Sequence, residues 1–265
     1  MLLNANTAIS TSRVLLVPYS KWHVSKYHEW MKDEEIQQAT ASEPLTLEEE
    51  YAMQQSWRTD GDKLTFIVCL PLRRDDNVNN NDSSRGEDVQ QQQDLNSTTT
   101  TTITEQDDAP DRMLGDVNLF LRFDEDDDNN DKIIGEIELM IAEKQNQRRG
   151  FGRAALLSFL RYIIDHESDI VDEFLSQQEC KEGEERTASS KKKLSCLSVK
   201  IGQSNARSLA LFESLSFRKV SDEPNYFGEF ELRRSRADLD QQDVREMLSR
   251  FGVDAYVELG YYDRK

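Results

Sequence analysis

Apolar residues recur along the chain in two periods, and the alternation between them sets the expected elements. Residues 13–19 (RVLLVPY) are a short apolar strand, and residues 21–32 follow with Tyr27, Trp30 and Met31 at helical spacing. A second helix is predicted to begin near Thr46, because Thr46 and Glu49 have the spacing of a capping box and Tyr51 and Trp57 help to bury it. Residues 64–70 (LTFIVCL) read as a buried strand ended by Pro71. Residues 113–123 (MLGDVNLFLRF) and 132–143 (KIIGEIELMIAE) alternate as strands do; the second puts Ile137, Leu139 and Ile141 on one face and Glu136, Glu138 and Met140 on the other. Residues 151–166 carry Leu156, Phe159, Leu160 and Ile163 along one helical stripe. A strand at 194–202, a short helix at 205–216 and a closing hairpin at 217–232 complete the pattern. Beyond Arg236, Val244, Met247, Leu248 and Phe251 mark one more helix, stopped by Gly252; packing on its own domain and binding a partner both remain open for that face.

Strands alternating with helices predict one α/β layer domain over residues 1–234, followed by a C-terminal helical extension at 235–265. Two stretches break the pattern. Residues 74–112 are rich in Asn, Asp, Gln, Ser and Thr, so ordering them costs more entropy than their burial returns, and they are expected to form a disordered insertion. A second polar insertion is expected at about 172–193.

Charge narrows the partners. The chain carries 51 acidic and 33 basic residues, a formal net charge of -18, which disfavours nucleic acid and anionic lipid and suits a cationic acceptor. Much of that acid lies in runs that read more simply as solvated loops. Three widely separated cysteines, Cys69, Cys180 and Cys196, match neither a metal site nor a disulfide framework. With no basic-then-apolar leader and no membrane-length apolar run, the expectation is a soluble protein of the cytoplasm.

The segment Gln147-Arg148-Arg149-Gly150-Phe151-Gly152 lies between an apolar strand and an amphipathic helix. Its turn therefore presents free backbone amides at a helix N-terminus, where an anion is favoured. The glycines allow close approach of a diphosphate, and Arg148, Arg149 and Arg153 add positive charge; the alternative is an ordinary strand-to-helix turn. On the preceding strand, Glu136 and Glu138 share a face about 6 to 7 Å apart, where mutual repulsion can raise one pKa toward neutrality; a pair of solvated strand carboxylates is the competing reading.

This loop fits the Q/R-x-x-G-x-G/A signature of the GNAT acetyltransferases, and the stretch from Asn205 through Ser208, Leu211 and Phe212 to Ser216 and Phe217 is similar to the second motif of that family. In the amino-terminal half, Tyr27-His28-Glu29-Trp30-Met31, the stretch from Thr40 to Thr46 and Tyr51-Ala52-Met53-Gln54 resemble the N-acetyltransferase 9-like branch of the family. The resemblance implies a mixed, mostly antiparallel twisted central sheet flanked by helices, with acetyl-CoA as cosubstrate. It implies that Gln147, Arg148, Arg149, Gly150, Phe151, Gly152 and Arg153 hold the diphosphate, that Asn205 and Phe212 line the other side of CoA, and that Met140, Ile141 and Ala142 offer a backbone edge to pantetheine and to the oxyanion. The first two helices and their loop, with Glu43, would wall the acceptor site. Glu136 falls at the general-base position of GNAT histone acetyltransferases, and Glu138 stands beside it.

Acetyl transfer to an amine needs a proton acceptor, a part such a carboxylate can take, since a free amine is mostly ammonium at neutral pH. The chain departs from the family pattern at Phe212, where many members carry a tyrosine that protonates the departing thiolate; water or Tyr226 would have to take that part. The expected activity is N-acetylation of a protein N-terminus or lysine by direct attack, and the rival is a catalytically weak module that contacts partners such as cytoskeletal proteins. Polyamine acetylation is a third possibility that the negative charge favours.

Overall fold

The computed structural model describes residues 1–73, 103–124, 132–182, 192–262 and 264. The chain starts with two short apolar strands, β1 (Thr7–Ser10) and β2 (Leu15–Pro18), then a 3-10 turn (Lys21–His23) that runs into α1 (Val24–Trp30). A short helix, α2 (Glu34–Ala39), precedes α3 (Leu47–Thr59). At the start of α3 the capping box forms: the Glu49 amide donates to Thr46 Oγ1 at 3.3 Å and the Thr46 amide to Glu49 Oε2 at 2.8 Å. Then come β3 (Lys63–Cys69), β4 (Met113–Phe123), β5 (Lys132–Ile141), α4 (Phe151–Asp165), α5 (Glu167–Glu182), β6 (Lys193–Gly202) and α6 (Ala206–Glu213). The chain closes with β7 (Arg218–Lys219), β8 (Glu229–Ser235), α7 (Gln241–Arg250) and β9 (Val257–Gly260).

Among the described residues nine strands form one sheet in the order β7-β8-β6-β5-β4-β3-β2-β1-β9. Every neighbouring pair is antiparallel except β5 and β6, which run parallel. That exception has a cause in connectivity: β5 reaches β6 through the α4–α5 crossover, the only kind of link that brings a strand back in the same direction. On one face of the sheet lies α4, whose Leu156, Phe159, Leu160 and Ile163 are fully buried. Phe66 of β3 meets the Phe159 and Tyr162 rings edge-on at 6.0 and 5.3 Å. Each such side chain contributes about 1.5–3 kcal/mol on burial. The other face is covered by α1 and α3, with Val17, Tyr19, Tyr27, Trp30, Ile67 and Met140 between them and the sheet.

Four expectations need correction. The polar stretch drawn to residue 112 ends too late: Asp108 is fully buried and Arg112 nearly so, while the part before residue 103 lies outside the described residues. Asp108 is held by polar donors rather than by apolar packing, so hydrophobicity gives no sign of it. Trp22 Nε1 and His23 Nε2 lie 3.0 Å from its Oδ2, the Tyr261 hydroxyl donates to the same oxygen at 2.6 Å, and Arg264 pairs with Oδ1. The His23 Nδ1 accepts the Ser20 amide at 3.0 Å, so its Nε2 carries the proton; burial holds this imidazole down to about 3, hence neutral. The second polar insertion begins instead as α5, whose first turns drive Ile170, Val171 and Phe174 into the core; residues 183–191 lie outside the described residues. The stretch after residue 235 is more than helical: β9 pairs with β1 from Thr7↔Gly260 to Ser10↔Val257, and α7 lies along α4, with the Arg153 guanidinium 4.4 Å over the Phe251 ring. Strand β1 and helix α2 were missed, each being too short to establish a period.

Candidate active site

Strands β5 and β6 pair only from Lys132↔Lys193 to Glu136↔Ser198, although β5 continues to Ile141 and β6 to Gly202. They splay, and a cleft of about 710 Å³ opens between their ends, walled by α2, β5, the loop after it, the start of α4 and α6. On the far side β5 stays fixed to β4. A Cβ at Gly115 would come within 1.9 Å of the Met140 carbonyl oxygen, so only glycine permits this approach. The Ala142 amide donates to Leu114 O at 2.9 Å, and strand alternation therefore turns the Ile141 amide to the open edge.

The loop into α4 is bent to aim its amides at the cleft. Arg148 (φ 61°) and Gly150 (φ 87°) both lie in the left-handed region, which gathers successive N–H groups into an anion-binding concavity at the helix start. Gln147 Nε2 ties the loop to β5 by donating to Ile141 O at 2.9 Å. Gly152 packs against Ile141 and Leu139, where an added Cβ would stand 3.5 and 3.6 Å from their side chains, so the helix comes close to the strand.

Of the residues named from sequence for the cofactor, Met140, Ile141, Ala142, Gln147, Arg148, Gly150, Gly152, Arg153 and Asn205 line the cleft. Three others do not. Phe151 turns inward to the core, and Arg149 lies over the Phe151 ring with its Nη1 on Asn146 Oδ1 at 3.0 Å. Phe212 is buried edge-on against Phe217 at 5.2 Å. Asn205 caps α6 by accepting the Ser208 amide at 3.1 Å. Tyr226 stands at the tip of the β7–β8 hairpin, 97% exposed and apart from the cleft. Glu43 lies exposed on the loop between α2 and α3, near the Thr40 that lines the cleft.

The candidate carboxyls lie on the α1-covered face of β4 and β5. The cross-strand registers Asp116↔Met140, Asn118↔Glu138 and Phe120↔Glu136 put these six side chains together. Glu136 is ion-paired to Lys200 of β6 at 2.9 Å. Glu138 is solvent-exposed on this face and is not among the residues that line the cleft. Neighbouring protein that partly desolvates the carboxyl, with the charges of Asp116 and Glu136 nearby, pushes it up to about 7, and Lys200 acts the other way. Asp116 is buried, which raises it to about 6 although Asn118 Nδ2 donates to its Oδ2 at 2.8 Å and the Tyr27 hydroxyl at 3.3 Å. Two anchors hold α1 and α2 in place over this side: Trp30 Nε1 and Lys26 Nζ reach Glu143 at 2.9 and 2.6 Å, and Lys144 pairs with Asp33 and Glu35 at 3.1 and 2.8 Å.

Sequence reasoning missed Asp116, Asn118 and Lys200, which gather beside Glu136 and Glu138, and Lys144 and Arg207, which line the cleft. A polar pair inside the otherwise apolar strand LGDVNLFL was a signal for the first two, because buried polar groups in a central strand need a reason. Among the described residues no group of three or more His, Cys, Asp or Glu side chains is placed to hold a metal ion, and no helix is long and apolar enough to cross a membrane.

Residues 13–218 match the family model described as an acetyltransferase (GNAT) domain. The N-acetyltransferase 9-like protein of Schizosaccharomyces pombe is 36% identical over 255 residues, covering 89% of this chain and 99% of its own. The alpha/beta-tubulin-N-acetyltransferase 9 of Homo sapiens is 36% identical over 250 residues, covering 94% and 93%. Among solved structures, the spermidine N-acetyltransferase from Vibrio cholerae in complex with CoA and spermine aligns with a TM-score of 0.49 at 13% identity, over 86% of this chain and 98% of that one.

Proposed function

The chain belongs to the GNAT acetyltransferase family and is an acetyl-CoA-dependent N-acetyltransferase, and from that premise we propose that its acceptor is a protein amine, an N-terminus or a lysine side chain. The observation that carries this reading is Glu138, an exposed carboxyl on the same strand as the cleft-lining Leu139, Met140 and Ile141, its proton affinity raised toward neutrality. That affinity suits a group that must take a proton from an ammonium at neutral pH.

The cleft fits the cosubstrate. Its volume falls in the range of small-molecule sites, about 300–1,000 Å³, and its polar end is a helix N-terminus whose first amides have no acceptor within the helix. Acetyl-CoA supplies an acetyl group activated as a thioester. Arg148 and the α4 amides serve the diphosphate, and the Ile141 edge of β5 serves the pantetheine arm in the manner of an added strand. The amide turned outward there is also the natural donor to the developing oxyanion. Glu138 takes the proton of the incoming amine; Glu136, held by Lys200, shapes the field around it.

The name of the human relative makes tubulin the first acceptor to try. Incubation with labelled acetyl-CoA, tubulin and an unbiased peptide library, read by mass spectrometry, should find acetyl groups on protein amines. No label above background, while CoA binding is intact, contradicts the proposal. It would instead favour an interaction module for cytoskeletal partners, a reading whose support is Phe212, buried where a proton-donating tyrosine is common in the family.

A further inference from the structure

A side chain from the β1–β2 end of the sheet reaches the loop that starts α4. Arg13, on the turn between β1 and β2, donates from Nη2 to the Arg149 carbonyl at 2.8 Å. The same nitrogen stands 3.1 Å from where a Gly150 Cβ would be, so the guanidinium backs the left-handed residue directly. The turn that carries Arg13 is itself fixed. Thr11 Oγ1 accepts the Arg13 and Val14 amides at 3.3 and 3.1 Å. The Ser12 amide donates to Asp254 O at 2.8 Å, and the Asp254 amide donates back to Ser12 Oγ at 2.9 Å, so the C-terminal extension braces the turn.

Arg13 does not line the cleft, whereas Gly150 does. The peptide between Arg149 and Gly150 is planar and trans, so its carbonyl and its amide point opposite ways. Holding the carbonyl on the Arg13 side therefore keeps the Gly150 amide toward the cleft, and among the described residues that amide meets no acceptor. The loop needs such a hold. Arg148, at φ 61°, is a non-glycine residue in the left-handed region, a conformation that persists only where its surroundings enforce it.

We propose that Arg13 is a positioning residue for the cosubstrate, keeping the Gly150 amide aimed at the CoA diphosphate through the Arg149 carbonyl. This rests on the reading that the loop and the α4 amides take the diphosphate. The loop then meets its ligand already bent, and none of the binding free energy goes into bending it.

The test is calorimetric titration of CoA into the full chain as wild type, Arg13→Ala and Arg13→Met, the last keeping the aliphatic stem, with the Gly150 amide followed by ¹⁵N NMR. Arg13 is exposed, so both variants should fold and keep the thermal midpoint of the wild type. Loss of a charge-assisted hydrogen bond should raise the CoA dissociation constant by about tenfold. The ratio of variant to wild-type constants should hold between about 0.05 and 0.5 M salt, because the arginine acts through a bonded carbonyl rather than through space. In the unliganded variants the Gly150 amide resonance should move. Unchanged CoA affinity, an unmoved Gly150 resonance, or a ratio that collapses toward one at high salt overturns the inference alone. A wild-type protein whose Gly150 amide does not respond to saturating CoA overturns the reading of the loop as well.

Discussion

The two sides of the proposed active site are built from different material. The cofactor cleft is made of backbone: a left-handed loop, the free amides of α4, a glycine-enforced strand contact and a splayed edge, with Arg148 and Arg153 as accessories. The proposed acceptor wall is made of side chains, with Glu138, Asp116, Asn118 and Tyr27 brought together from two strands and a helix. Backbone recognition tolerates side-chain change and needs only conformation, whereas proton transfer needs particular groups in particular protonation states. Substitutions on the two sides should therefore fail in different ways.

Glu138→Gln should have the largest effect, lowering kcat by about 10²–10⁴-fold while calorimetric CoA affinity changes less than about twofold. Loss of CoA binding in that variant would merge the two sides. Gly150→Asp should do the reverse, raising the CoA dissociation constant by about 100-fold through a carboxylate set against the diphosphate and leaving the fold intact by circular dichroism. Glu136→Gln discriminates within the wall: it frees Lys200 and removes one like charge from Glu138, so turnover should change less than about tenfold and the rate should rise at lower pH than in the wild type. A loss as deep as that of Glu138→Gln would move the base to Glu136. The smallest effect belongs to Thr46→Ala, which removes the α3 cap at a cost of about 1 kcal/mol, seen in urea unfolding without a change in CoA affinity.

The same division explains what could be read from the residues. Glycines, a strand-turn-helix order and an arginine-rich loop are local in sequence, so the loop at 147–153, the β5 alternation and the stripe of α4 were all legible. The wall depends on register across strands. Glu138 and Asn118 are 20 residues apart and meet only because β4 and β5 pair as they do, and Lys200 joins only through the parallel pairing of β6. The family resemblance put Glu136 at the general-base position, and its pairing with Lys200 is something no spacing reveals. Polar composition misled in the same way at Asp108, whose four donors come from the segment before α1 and from the C-terminal residues.

The central claim is that a carboxyl of the acceptor wall governs the proton step, and the pH dependence of kcat at saturating acceptor tests it most directly. A base whose pKa is raised to about 7 is ionised only above that value, so wild-type turnover should climb through a midpoint near 7 and level off above it. In Glu138→Gln that limb should vanish from the residual rate. A variant that keeps the wild-type midpoint would contradict the account.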